Sequence, residues 1–223
     1  MKQSNDKAKS VCGTKTLEEM ISAAGEFFEY MNIRRSCTDF SNEPVPDEII
    51  NTIIKTAGTA PSGANKQPWK FCIVKNQRIK HQIREAAEKE EKRNYEERFS
   101  DTLKNDLKPL NTSFIKEFLD KAPVLIVLFK ENYSLVGKGI IKPNYYVNES
   151  VSIALGFLIA AIHQAGLATL CYTPSPMDFL NGILGRPKNE SPVAILPVGF
   201  AGKNYRCPKL PRKPMEEIIV KFD

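Results

Sequence analysis

Glu91 and Tyr95 stand four residues apart, so on a helix they share one face. With Lys116 they supply a carboxylate, a phenol and an ammonium. An amino-acid zwitterion asks for that set: Glu91 for its ammonium, Tyr95 and Lys116 for its carboxylate. The plainer alternative is that residues 88–93, a run of Glu, Lys and Arg, are a solvated helix surface. Arg34, Arg35 and Ser36 bring fork-shaped donors suited to a phosphate or a carbonyl-rich ring, and Arg212-Lys213 is a second basic pair. An arbitrary arginine pair is as readily a solvated surface feature. Between Thr59 and the single tryptophan, Trp69, lies a stretch of two prolines, a glycine and small polar residues. Such a loop lets a flat ligand approach the backbone closely. Finally, Cys171-Tyr172-Thr173-Pro174 places a hydroxyl at the end of an apolar run, where it is either a simple turn residue or a directed hydrogen-bond donor.

The surrounding pattern must position these groups. Apolar residues at helical spacing predict a helix over 17–30 (Leu17, Met20, Ile21, Ala24, Phe27, Phe28). Pro46, followed by Asp47 and Glu48, predicts a helix start; Ile49, Ile50, Ile53, Ile54 and Ala57 form its buried stripe and Gly58 its end. Residues 70–75 read as a strand, 77–99 as a long charged helix and 111–121 as a shorter helix. The apolar run 123–129, headed by proline, reads as a buried strand. Residues 132–144 read as a loop, 145–164 as a helix apolar on nearly all sides, and 168–173 and 193–200 as further strands. The proline-rich tail from Tyr205 ends in a short apolar run, 215–220, with too little surface to fold alone.

A chain of 223 residues with 42% hydrophobic and 26% charged residues fits one globular domain, here residues 17–223 behind a flexible tail over 1–16. The net charge of +6 favours anionic ligands, yet no basic run is interleaved with aromatics, so nucleic acid is not expected as a partner. Five cysteines without a Cys-x-x-Cys and only two histidines, His81 and His163, argue for a reduced protein without a metal. The N-terminus has no signal-peptide core, and the most apolar stretch, 151–162, is shorter than the roughly 20 residues of a membrane span. The expectation is a soluble, cytoplasmic protein without a membrane span. No Gly-x-Gly-x-x-Gly follows a strand, so a dinucleotide-binding fold has no support; an α+β sandwich is the plain inference.

The segment Arg34-Arg35-Ser36-Cys37-Thr38-Asp39-Phe40-Ser41, the helix after it and the loop Pro61-Ser62-Gly63-Ala64 to Gln67-Pro68-Trp69 together resemble the flavin-binding front half of the nitroreductase superfamily. Glu91 and Tyr95, followed by Phe114-Ile115-Lys116-Glu117-Phe118-Leu119-Asp120, and the run Ala57-Gly58-Thr59-Ala60-Pro61-Ser62-Gly63-Ala64 resemble its iodotyrosine deiodinase branch. The resemblance covers about residues 34–220.

It implies a nitroreductase-like α+β fold, a central mixed sheet flanked by helices, in a domain-swapped homodimer whose C-terminal extension embraces the partner. It also implies FMN as cofactor. Arg34, Arg35, Ser36, Cys37, Thr38 and Arg212 would hold its phosphate and edge, Pro61, Ser62 and Gly63 would arrive from the other subunit, and Cys171, Tyr172 and Thr173 would lie against the ring. Thr173, as the group on flavin N5, would favour one-electron chemistry over hydride transfer. The backbone N–H of Ala64 would meet a substrate phenolate, with Glu91, Tyr95 and Lys116 on the amino-acid end. The implied activity is reductive deiodination of mono- and diiodotyrosine to tyrosine and halide, with electrons from NADPH through a separate reductase. The chain departs from the family at Thr38, where a further arginine is common, and lacks the N-terminal anchor of the mammalian members. Two other readings stay open: a general NAD(P)H-dependent nitro or quinone reductase indifferent to Glu91→Gln, and a binding module whose basic surface meets nucleic acid or an acidic partner.

Overall fold

A computed structural model describes residues 13, 15–110, 112–137, 139–203, 205–208 and 210–222. Most of the expected tail, residues 1–12 and 14, lies outside the described residues. The chain divides into two units, 1–34 and 35–223. In the first, α1 (Leu17–Asn32) begins with a capping box: the Thr16 hydroxyl accepts from the Glu19 N–H, and the Thr16 N–H donates to Glu19 Oε2 at 2.8 Å. Its apolar residues Leu17, Met20, Ile21, Phe27 and Phe28 are exposed and none is buried.

The second unit holds, in chain order, α2 (Asp47–Ala57), β1 (Trp69–Val74), α3 (Gln77–Arg93) running into a π-helical turn over Asn94–Arg98, α4 (Asp101–Leu107), α5 (Phe118–Lys121), β2 (Val124–Glu131), β3 (Tyr133–Val136), β4 (Ile140–Pro143), α6 (Val147–Gln164), β5 (Ala168–Thr169), α7 (Phe179–Ile183) and β6 (Glu190–Gly199). The main sheet has the order β1-β2-β6-β5. The expected mixed sheet is antiparallel in every one of these ladders; the parallel pairing is an isolated bridge between Ser36 and Thr169.

Why Val124 to Phe129 form one unbroken apolar run follows from what covers them. Successive side chains point to opposite faces of a strand. Val124 and Ile126 pack with Ile50 and Ile53 of α2 and Leu158 and Ile162 of α6. Leu125, Val127 and Phe129 pack on the other face with Ile83 and Ala87 of α3, Phe118 and Leu119 of α5, and Leu180 of α7. With helices on both faces, a solvated polar side is not available, and all six residues are buried.

Two expectations are corrected. The helix expected over 111–121 is α5 alone among the described residues; the Lys116 N–H goes to the Glu88 side chain of α3 instead of to a helical carbonyl, as described below. Residues 132–144 are not a loop but the exposed hairpin β3–β4, turned by Gly137 and Gly139 at φ of 44° and 81°, values that favour glycine. The apolar stretch 151–162 lies within the 18 residues of α6, the one helix among the described residues that by length and composition alone could cross a bilayer. It turns Ser150, Val151, Ala154, Leu158 and Ile162 inward.

Candidate active site

Asn76 caps α3, its side-chain oxygen accepting from the N–H groups of Arg78 and Ile79. The helix sits on the sheet through Ile83 and Ala87, and this inward stripe, continued one turn, reaches Glu91, which is only 8% exposed. A carboxylate buried so deeply needs a partner. Lys116, 5% exposed, supplies it, with Nζ 3.7 Å from Glu91 Oε2. The same ammonium donates to the Ser113 carbonyl at 2.6 Å and contacts the Thr112 hydroxyl at 3.3 Å. Tyr95, one turn beyond Glu91, donates its hydroxyl to the Thr112 carbonyl at 3.4 Å and lays its ring on Phe99. The three sequence-predicted groups therefore converge on one segment, 112–116. Burial pulls the Lys116 pKa below the ordinary lysine range, and Glu91 beside it opposes that shift.

Glu88, unnoticed in the sequence, organises this segment. Its Oε1 accepts the Lys116 N–H at 2.7 Å and Arg84 Nε at 2.7 Å. Arg84 in turn donates to Asp120 Oδ2 at 3.0 Å, which also faces His81 Nδ1 at 3.1 Å. The i,i+4 spacing of Arg84 and Glu88 was a usable signal; the contact to Lys116, 28 residues on, had none. Replacing Glu88 by alanine should cost about 1–2 kcal/mol, since a backbone donor loses a charged acceptor. Melting curves should show a fall in Tm of roughly 2–8 °C; an unchanged Tm would mean that Glu88 does not hold the segment.

His81 is exposed, and the hydrogen bond to Asp120 raises its pKa above the ordinary 6.5. A raised folded-state pKa means that the protonated ring favours the folded protein. The Tm advantage of wild type over His81→Gln should be present below about pH 6.5 and fade as pH rises through the folded pKa. A gap that widens with rising pH would contradict the His81–Asp120 contact.

The loop from Pro61 to Gln67 is built against the start of α6. The Gly63 N–H donates to the Ser150 hydroxyl at 3.2 Å, and that hydroxyl donates to the Tyr146 carbonyl at 2.6 Å. A Cβ on Gly63 would lie 2.7 Å from Tyr146 Cδ2 and 2.9 Å from the Tyr145 carbonyl, so only glycine fits. The Ser62 hydroxyl accepts the Gln67 N–H at 2.9 Å. Ala64, Asn65 and Gln67 all have positive φ (50°, 52° and 48°), a conformation uncommon for non-glycine residues. Strain of about 1 kcal/mol or more per residue persists only where the surroundings impose it, and it clusters at ligand sites. Ala64 is exposed.

At the other sheet edge, the Cys37 N–H donates to the Thr169 carbonyl at 3.0 Å and Ser36 bridges Thr169. Tyr205, with no signal in the sequence, donates its hydroxyl to the Ser36 carbonyl at 2.7 Å. Arg35 lines a cavity of about 410 Å³ with Cys207, Pro208, Leu210 and Pro211, the stretch leading to the exposed Arg212. Thr38, Cys171 and Thr173 are exposed along the same edge. Arg34, the last residue of the first unit, donates its N–H to the Met31 carbonyl. Tyr172 is fixed by both of its backbone bonds to Ile195, at 2.9 and 2.8 Å. Its ring does not follow the exposed residues beside it but is buried against Phe118, edge to face at 5.4 Å, with Lys116 Nζ 5.5 Å from its centre.

A helix-covered antiparallel sheet with basic residues at one edge and a strained glycine loop at the other is the architecture of a known group. The chain belongs to the nitroreductase family, whose model matches residues 32–200. Within it, the chain is 49% identical over 205 residues to the iodotyrosine deiodinase of Haliscomenobacter hydrossis, a match covering 92% of each protein. It is 46% identical over 204 residues to iodotyrosine deiodinase 1 of Homo sapiens, covering 91% of this chain and 71% of that one. The crystal structure of oxidized iodotyrosine deiodinase bound to FMN and 3-iodo-L-tyrosine superposes with a TM-score of 0.78 at 32% identity, covering 88% of this chain and 98% of that one. A BluB-like flavoprotein from Clostridium difficile 630, at 23% identity and a TM-score of 0.67, shares the fold.

Proposed function

We propose that this chain is an FMN-dependent oxidoreductase that reductively deiodinates mono- and diiodotyrosine to tyrosine and iodide. The observation that carries the reading is the buried Glu91–Lys116 pair, with Tyr95 on the same segment. A generic aromatic substrate has no use for two opposite charges held in a dry site, and desolvating them is costly. An amino-acid zwitterion repays that cost by pairing with both. The kinship with iodotyrosine deiodinases agrees.

The residues present fit FMN. Arg35, Ser36, Thr38 and Arg212, with Arg34 preceding them, supply charged and hydroxyl donors for its phosphate beside the 410 Å³ cavity. The Gly63 loop offers a surface that a flat ring can approach. When bound, reduced FMN would supply two electrons which, with one proton from solvent, convert the carbon–iodine bond into carbon–hydrogen and release iodide. The chain's own part is to orient and desolvate. The Ala64 N–H would donate to the substrate phenolate and the Thr173 hydroxyl to flavin N5, and the clamp on α3 would exclude water and thereby strengthen each charged contact.

The site is composed from two copies. The loop before Trp69 and the corner at Thr169 are three strand intervals apart, roughly 14 Å, and offset along β6 from the level of Ser191 to that of Val198, roughly 23 Å. One flavin cannot touch both within one chain, whereas a partner's loop can meet this chain's Thr173 edge. A homodimer with an exchanged C-terminal extension satisfies that need. A separate NADPH-dependent reductase supplies the electrons, in keeping with the absence of a dinucleotide motif.

The test is anaerobic reduction of the FMN-loaded protein in the presence of 3-iodotyrosine, with iodide and tyrosine assayed. Stoichiometric release of both is expected. No release, with ready reduction of simple nitroaromatics, would favour a general nitroreductase.

A further inference from the structure

The Tyr172 side chain is 7% exposed, and its hydroxyl is buried without a hydrogen-bond partner among the described residues. Such a group costs stability and calls for an explanation. Its ring is wedged between Phe118 and the Lys116 ammonium, and Lys116 is the residue paired to Glu91. Burial raises the phenol's pKa, and Glu91, which lies in marginal hydrogen-bonding contact with it, raises it further, so the hydroxyl stays protonated and Glu91 is the acceptor it can meet. Its backbone is pinned to Ile195 on both sides, so the acceptor must be the part that moves.

We propose that Tyr172 is a positioning residue of the amino-acid clamp, its hydroxyl donating to Glu91 once the substrate's charged end separates Glu91 from Lys116. The two clamp charges face one another at 3.7 Å. An entering zwitterion gives Lys116 a new carboxylate and Glu91 a new ammonium, and a gap of 3.7 Å cannot hold both charges of the ligand without the pair parting. Glu91 then has acceptor positions to fill, and the Tyr172 phenol holds the carboxylate in place from below. The ring, meanwhile, keeps Lys116 charged through its π face. Ligands lacking the amino-acid end leave the pair closed and draw nothing from Tyr172.

This inference rests on the deiodinase reading, and the test separates the two. Flavin-loaded wild type and Tyr172→Phe are titrated by flavin fluorescence with 3-iodotyrosine and with 2-iodophenol, and their melting is compared without ligand. The variant should bind 3-iodotyrosine roughly ten- to a hundredfold more weakly, as expected for a hydrogen bond to a charged group, and 2-iodophenol within about twofold. Without ligand its Tm should change little, because the contact of the hydroxyl with Glu91 is there short of a formed hydrogen bond. In a Glu91→Ala background the Tyr172→Phe effect should vanish. Tight wild-type binding of 3-iodotyrosine that Tyr172→Phe leaves unchanged, or equal losses for both ligands, overturns the inference alone. Wild type that does not bind 3-iodotyrosine overturns it together with the deiodinase reading.

Discussion

Lys116→Ala is expected to weaken 3-iodotyrosine binding about a hundredfold or more, and Glu91→Gln to do nearly the same. Truncating one member of a buried charge pair in a binding site costs about 2–5 kcal/mol, and each tenfold in affinity is about 1.4 kcal/mol. The two variants should differ in stability. Lys116→Ala leaves the Glu91 carboxylate buried without its cation, a situation worth about 3–5 kcal/mol before protonation relieves part of it. Glu91→Gln leaves the Lys116 ammonium with the Ser113 carbonyl and the Thr112 hydroxyl, so its cost is smaller. The double variant Lys116→Met with Glu91→Gln should recover stability, because no charge is then buried, while affinity stays lost. Fluorescence titration and thermal melting on the same samples decide the point. If the double variant regains affinity, the pair is a structural device and the amino-acid end binds elsewhere.

Gly63→Val should lower stability by about 2–3 kcal/mol, the upper range for forcing extra carbons into a packed site. It should also yield protein that retains little flavin absorbance. The bulk would meet the Tyr145 carbonyl and the Tyr146 ring, and the carbonyl belongs to backbone that cannot swing aside as a side chain end can. The loop must then lift away from α6, breaking the Gly63–Ser150 bond that fixes it. Ser150→Ala removes the same bond without the clash and should cost only about 1 kcal/mol. Both are read by the Tm of the ligand-free protein and by flavin content after gel filtration. A Gly63→Val protein that melts like wild type would show that the loop is not tied to α6.

These sites were legible in the sequence to different degrees. The stripe Ile50, Ile53, Ala57 and the pair Glu91 and Tyr95 are local in the chain, and helical periodicity alone placed them. Lys116 is not local: its partner lies 25 positions back, and no periodicity ties the two together, only the complementary chemistry of the set and the family resemblance. The segment 112–117 was assigned to a helix because its apolar and charged residues permit one, yet Glu88 competes for the Lys116 N–H and leaves only Phe118–Lys121 helical. The hairpin β3–β4 escaped notice because much of it is exposed, so its strands show no alternation of polar and apolar residues. Positive φ at Ala64 and Gln67 has no signature in residue type; of the three only Asn65 is a residue that favours that region.

Tyr172 and Thr173 are neighbours on a stretch that bridges to Ile195, and one is buried while the other is exposed. On extended backbone that opposition is obligatory, because consecutive side chains leave from opposite faces. In the proposed enzyme the phenol looks to the amino-acid end of the substrate and the hydroxyl to the cofactor, so one peptide unit is the hinge pin between recognising the substrate and delivering electrons to it. Insertion or deletion of a single residue just before this dipeptide would exchange the two faces and put each group to the other's task. A change of chain length at residues 170–173 would therefore misplace both groups at once, where a substitution alters only one.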